Sequence, residues 1–209
     1  FSVDVPMDRK PWMNCFLILG IIAISVAAFV DSDFFEKVFE IPLGNTALHI
    51  GFFHLIGNMI FLFVFGNAVN YKFGQLGYFL LYIACAGMAE VVHILFDGRP
   101  SIGASGAVNG IMGAYLVYFF RNDVKVFWLI LYRARISTIT SGKLLLFYVG
   151  WDIFTLVTSR QTGIALWAHI GGFAAGFGIA LACLITGLVK TCPDEESLLQ
   201  ILGIRNDEQ

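Results

Sequence analysis

Residues 164–189 read IALWAHIGGFAAGFGIALACLITGLV, an apolar run without Asp, Glu, Lys or Arg and with one histidine, His169, near its head. A run of that length crosses the roughly 30 Å hydrocarbon layer of a bilayer as a single helix. Moving back along the chain, comparable runs lie near 143–158, 103–120, 75–96, 50–70 and 13–30, so six spans are expected, with the fifth the shortest. Composition agrees: 58% of residues are hydrophobic, 13% are charged, and the mean hydropathy is +0.78. A soluble domain carries about twice that fraction of charge. Lipid leaves no partner for an open backbone, and the two-residue alternation of a barrel is absent, so the spans are read as helices. The expected fold is an all-α membrane protein, a six-helix bundle over residues 13–190, with a short segment before it (1–12) and a tail after it (191–209).

Cationic loops resist translocation, so Lys and Arg set the orientation. With the N-terminus in the cytoplasm, Arg9, Lys10, Lys72, Arg121, Lys125, Arg133, Arg135, Lys143, Lys190 and Arg205 fall inside, and only Lys37, Arg99 and Arg160 fall outside. Six spans return the C-terminus to the cytoplasm, and the acidic stretch from Asp31 to Glu40 faces out. The first span is preceded by Arg9-Lys10 and is too long for a cleavable signal peptide. A net charge of −2 gives no indication of a nucleic-acid partner. The expected setting is a multi-pass protein of a bacterial cytoplasmic membrane.

Two segments fall outside the spans. Val124 to Tyr132 is apolar but too short to cross, and its flanking cations place it at the inner interface. Asp194-Glu195-Glu196-Ser197, followed by Leu198, Leu199, Ile201 and Leu202, suggests a short surface helix. Cys15, Cys85, Cys183 and Cys192 are scattered without a CxxC pair and are read as structural.

With this topology, spans two, four and six all enter from the outer side. Ser105 then lies near the head of span four, His169 near the head of span six, and His54 and Asn58 in the first two turns of span two. All four fall within roughly 5 to 13 Å of the outer helix ends. The glycines flanking the serine, Gly103 and Gly106, together with Gly110, and the pair Gly172 and Gly176 on span six, remove side-chain bulk and let spans four and six approach closely. Close approach brings a hydroxyl towards an imidazole, the pairing an activated nucleophile requires. His54, Asn58 and the Ser105 N–H are donors at the depth where a tetrahedral oxyanion would form.

Three strings carry a resemblance to a known family: His49-Ile-Gly-Phe-Phe-His54-Leu-Ile-Gly-Asn58, Gly103-Ala-Ser105-Gly106, and Ala168-His169-Ile-Gly-Gly172-Phe-Ala-Ala-Gly176. In this order, on spans two, four and six, they resemble the rhomboid intramembrane serine proteases. The resemblance implies Ser105 as nucleophile, His169 as general base and acid, and His54, Asn58 and the Ser105 amide as the oxyanion hole. It implies hydrolysis of peptide bonds in or near transmembrane segments of other proteins, with no metal or cofactor. A helical substrate must unwind locally to expose a carbonyl, which favours small or helix-breaking residues near the cut.

No carboxylate aligns with the pair in the sequence. Asp152 in span five and Glu90 in span three, with His93 close by, are the intramembrane acids, and the reading is a Ser-His dyad with slow turnover. Two features depart from the family pattern. The outer loop lacks the Trp-Arg pair that many members carry. Asn109, one turn after Ser105, stands where many members place an aromatic ring against the histidine, and is expected to hydrogen-bond His169 instead. Phe147, Trp151 and Phe154 share a face of span five, the lateral gate in the family, opposite Phe52 and Phe53; simple contact with lipid is the preferred account of them. A non-catalytic binder of transmembrane helices is the alternative function, although such relatives typically lack the serine or histidine. A transporter would need mid-membrane charges or repeated broken helices beyond what Glu90 and Asp152 supply.

Overall fold

The first apolar run forms helix α1 (Trp12–Val30), which Asp31 ends while capping α2 (Ser32–Glu40): its carboxylate accepts the N–H groups of Asp33 at 3.0 Å and Phe34 at 3.1 Å. A 3₁₀ turn (Gly44–Ala47) leads to α3 (Phe52–Asp97), which holds the runs expected near 50–70 and 75–96. Gly74, at φ 73° and ψ 176°, breaks α3 into two rods, a backbone conformation open to glycine and strained for other residues. This computed structural model describes residues 2–3, 5, 9–130, 133–158, 164–191 and 196–204. Tyr132, Arg160, Cys192, Asp194, Glu195 and Arg205 of the sequence reading lie outside the described residues.

The break in α3 is held by polar groups buried against α1. Asn14, fully buried, donates from Nδ2 to the Leu62 carbonyl at 3.0 Å and to Asn67 Oδ1 at 2.8 Å, and its Oδ1 accepts from the Tyr78 hydroxyl at 2.6 Å. Its N–H donates to Asn70 Oδ1 at 3.0 Å. One asparagine thus joins both rods to α1, the kind of polar contact that holds helices together in lipid.

Helix α4 (Ser105–Tyr118) occupies the centre, with every residue from Gly106 to Tyr118 buried. At about 1.5 Å per residue it is shorter than a bilayer, yet it is enclosed by neighbours rather than by lipid. Around it pack α3 and α6 (Leu166–Thr186), with α5 (Ser141–Thr158) more loosely at one side. Tyr78, Tyr115, Tyr118, Phe65 and Phe119 fill the space between them. Among the described residues, three helices, α1, α3 and α6, are long and apolar enough to cross a membrane.

Between α4 and α5 the chain leaves the all-α expectation. The segment read as interfacial forms strand β2 (Asp123–Ile130), paired antiparallel with β3 (Arg133–Thr140) and with the short N-terminal strand β1 (Ser2–Val3). The reason is a two-residue period: Val124 and Val126 are buried while Asp123 and Lys125 are exposed. In the tail, Ser197 and Gln200 form a capping box for α7 (Leu198–Ile201), and Glu196 meets Arg121 at 2.6 Å.

Candidate active site

Ser105 is the first residue of α4, so its own N–H has no acceptor within the helix. The loop before it is tied at three points. Ser101 Oγ donates to Glu90 at 2.7 Å, Asn45 Nδ2 donates to the Ser101 carbonyl at 2.9 Å, and the Gly103 N–H donates to the Asn45 carbonyl at 3.0 Å. Gly103 adopts φ 127°, and a Cβ there would stand 2.7 Å from Cε1 of His54. Only glycine lets the loop pass this close to the imidazole. Glu90 therefore anchors the approach to the serine, and Ser101 and Asn45, which have no motif of their own, complete the tie.

His169 reaches the same region from α6 because α4 and α6 touch backbone to backbone. A Cβ on Gly172 would strike the Gly106 carbonyl, and one on Gly176 the Gly110 carbonyl. Towards α3, a Cβ on Gly106 would lie 2.6 Å from Ala89 Cβ, and one on Gly110 would meet the Cys85 side chain. Ser105, His169, His54, Asn58 and Asn109 all line one cavity of about 1360 Å³ among α3, α4, α5 and α6. Ser105 and His169 share it without a hydrogen bond between them. Catalytic hydrogen bonds are often long before substrate binds and shorten in the complex.

Within the cavity the groups divide as follows. Asn58 Nδ2 donates to the His54 carbonyl at 2.9 Å, which leaves its second amide hydrogen for another acceptor. His54 packs edge-on to His49, with ring centroids 5.0 Å apart. His49, in the turn before α3, bonds Ser25 Oγ through Nδ1 at 2.9 Å while its buried Nε2 has no partner. Burial, and secondarily the charge of His54, push its pKa down to about 4 against a small opposing effect of the Ala47 carbonyl.

Two expectations are corrected here. Asn109 does not bond His169: its amide donates to the Ser105 carbonyl at 2.9 Å, the ordinary i to i−4 bond of a helical asparagine, and its Oδ1 is buried without a partner. The histidine is instead met by a carboxylate, since His169 Nδ1 lies 2.8 Å from Asp152 Oδ2. The dyad expectation, that no carboxylate aligns with the pair, fails because the register of α5 turns Asp152 inward towards α6. Depth along a helix is legible in a sequence, whereas the direction of one side chain on a loosely packed helix is not. Of the other acid–histidine pairs, His93 lies 3.8 Å from Asp97, which in turn lies 3.4 Å from Arg99.

The rings of α5 point away from the site. Phe147, Trp151 and Phe154 are exposed; Phe147 stacks on Trp151 at 6.4 Å and Trp151 meets Phe154 at a tilt at 5.8 Å, and Phe52 and Phe53 are exposed too. The aromatic contact between α5 and α3 is made by Tyr148 and Phe61, at 5.5 Å. Among the described cysteines, Cys85 is buried against Gly110, and Cys15 and Cys183 are half-buried and unpaired.

Comparison with known proteins agrees with the three strings. Residues 43–186 match the family model described as Rhomboid domain. The chain is 32% identical over 139 residues to RHOMBOID-like protein 4 of Arabidopsis thaliana, covering 66% of this chain and 32% of that protein. It is 30% identical over 140 residues to Rhomboid protease GluP of Bacillus subtilis, covering 67% of this chain and 25% of that protein. A third relative, Putative rhomboid protease YdcA of Bacillus subtilis, is 24% identical over 139 residues, covering 66% of this chain and 63% of that protein. The chain thus spans about a quarter to a third of the length of the first two.

Proposed function

The chain belongs to the rhomboid family, and we propose that it is an intramembrane serine endopeptidase that cuts transmembrane proteins in or near their membrane segments. The observation that carries this reading is that Ser105, at the start of α4, lines the same cavity as His169, His54 and Asn58. Ser105 Oγ attacks the substrate carbonyl carbon as His169 takes its proton. The oxyanion accepts hydrogen bonds from the Ser105 N–H, Asn58 Nδ2 and His54. His169 returns the proton to the leaving amine as the C–N bond breaks, and water entering the cavity hydrolyses the acyl-enzyme by the same two steps.

The membrane arrangement belongs to the same proposal. The break at Gly74 lets α3 cross twice, so α1, the two rods of α3, α4, α5 and α6 make six spans over residues 13–190. Both termini lie in the cytoplasm, and the cavity opens to the opposite side. Support comes from β1 pairing with β2 and from the Glu196–Arg121 contact, which bring both ends of the chain to one end of the bundle.

A fluorophosphonate probe and a model transmembrane substrate test the proposal in detergent or vesicles. Wild-type protein is expected to label and to cleave, and Ser105→Ala to do neither. Absence of both in folded wild-type protein would leave a helix-binding role and remove the peptidase one.

A further inference from the structure

We propose that Asp152 is the positioning residue of His169, so that the site works as a Ser105–His169–Asp152 triad; the inference rests on the peptidase reading above. Beyond Leu145, Asp152 is the one buried residue of α5 among those described, on a helix whose neighbouring Trp151, Ile153 and Phe154 are exposed. A carboxylate taken out of water costs several kcal/mol unless it is paired. Its side chain is 11% exposed, its partner His169 is 9% exposed, and the two stand 2.8 Å apart. A helix whose neighbouring side chains here are apolar and exposed thus directs one carboxylate inward, onto one nitrogen.

The geometry gives this charge a specific task. His169 lines the cavity and Asp152 does not, so the carboxylate sits behind the imidazole, away from substrate. An ionised carboxylate only accepts, so Nδ1 carries the hydrogen and Nε2 is left with its lone pair for the proton of Ser105. Asn109 does not compete for the role, since its amide is bonded to the Ser105 carbonyl. As the Ser105 Oγ–carbon bond forms, the Oγ proton moves to Nε2, and the imidazolium is stabilised by the Asp152 carboxylate. The same proton leaves Nε2 for the amine nitrogen when the peptide C–N bond breaks. Because Asp152 rides on α5 and His169 on α6, the base is correctly oriented only while these two helices keep their register.

The test uses the full chain and a fluorogenic transmembrane peptide. Asp152→Asn keeps size, but its amide can also donate to Nδ1 and no longer enforces the Nδ1–H tautomer, so kcat is expected to fall by ~10²- to 10⁴-fold with KM within about twofold. The acid limb of its residual kcat–pH profile is expected to move to lower pH, because the imidazolium has lost its counter-charge, and Asp152→Glu should recover part of kcat. Other ionisable groups face the same cavity, namely His54, Tyr148, His93, Asp97 and Arg99, and all remain in the variant. A merely structural role would leave the limb where it is. Wild-type kcat and an unmoved limb in Asp152→Asn, with Ser105→Ala and His169→Ala inactive, would overturn the role of Asp152 alone. Cleavage by Ser105→Ala would overturn the peptidase reading and this inference with it. If Asp152→Asn fails to fold, wild-type protein still decides: a downfield Nδ1–H proton resonance, lost in His169→Ala, is expected at pH 7, and its absence counts against the pair.

Discussion

Asn109 and His49 are buried polar residues close to the serine and histidine, and each leaves one atom without a partner. Replacing Asn109 with alanine removes the bond to the Ser105 carbonyl but also removes the orphaned Oδ1, two effects of about 1 kcal/mol and opposite sign. Asn109→Ala should therefore shift stability by less than about 1 kcal/mol and lower kcat by less than about tenfold. Thermal melts and single-substrate kinetics check both, and a loss comparable to His169→Ala would return Asn109 to the mechanism. For His49 the direction follows from linkage. Its folded pKa near 4 lies below the ordinary 6.5, so the unfolded chain binds more protons between those values. Its contribution to stability is complete above pH 6.5 and is lost as pH falls towards 4. Melting in detergent across that range should show the decline, and His49→Gln should flatten it. The serine, His169, His54 and Asn58 were legible because each is a polar residue in a short string within an apolar helix. Asp152 was not, because one acid on a helix fixes a depth and leaves its lateral neighbour open.

At the scale of elements, the contact between α4 and α6 depends on glycines at fixed positions. A methyl group on Gly176 has no room beside the Gly110 carbonyl, whereas Gly178, two residues on, has nothing within 4 Å of an added Cβ. Gly176→Ala should destabilise by about 1–3 kcal/mol and separate the helices that carry Ser105 and His169, lowering activity with it. Gly178→Ala should be neutral or slightly stabilising, as alanine favours helix. Equal melting temperatures for the two variants would refute this account of the packing. The exposed rings of α5 lead to a different expectation: Phe147→Ala and Trp151→Ala should change cleavage of a membrane substrate by less than about twofold, since the rings stack on each other and face outward. A large acceleration would mean that they restrain substrate entry. The long spans were legible from apolar length alone. The break at Gly74 falls in the gap between the runs near 50–70 and 75–96, and apolar length alone does not show that helix continues on both sides of it. The β2–β3 hairpin was hidden because apolar residues follow one another from Phe127, and only the short Val124–Val126 alternation shows a strand.

For the whole molecule, charge and connectivity argue for the same orientation. The Lys10 carbonyl accepts from Gln75 Nε2 at 3.0 Å beside the Gly74 break, Lys72 lies over the Tyr118 ring, Arg121 pairs with Glu196, and Lys125 and Arg135 lie in the sheet. These cations, with Arg9 and Lys143 next to them in sequence, gather at the end where β1 and α7 also meet the bundle. At the other end lie the acidic helix α2 and the loop of residues 98–104, joined through Asn45, with Lys37 and Arg99 the described cations there. The proposed orientation puts this cation-rich end in the cytoplasm, because cationic loops resist translocation. In a background with Cys15, Cys85, Cys183 and Cys192 replaced and activity retained, Lys37→Cys and Lys125→Cys report on the two ends, both positions being exposed. A membrane-impermeant maleimide should label Lys37→Cys in intact cells and label Lys125→Cys only after permeabilisation. The reverse pattern would invert the molecule and turn the cavity to the cytoplasm. Labelling of both in intact cells would break the even count of spans, even though the serine and histidine stayed where the glycine contacts hold them.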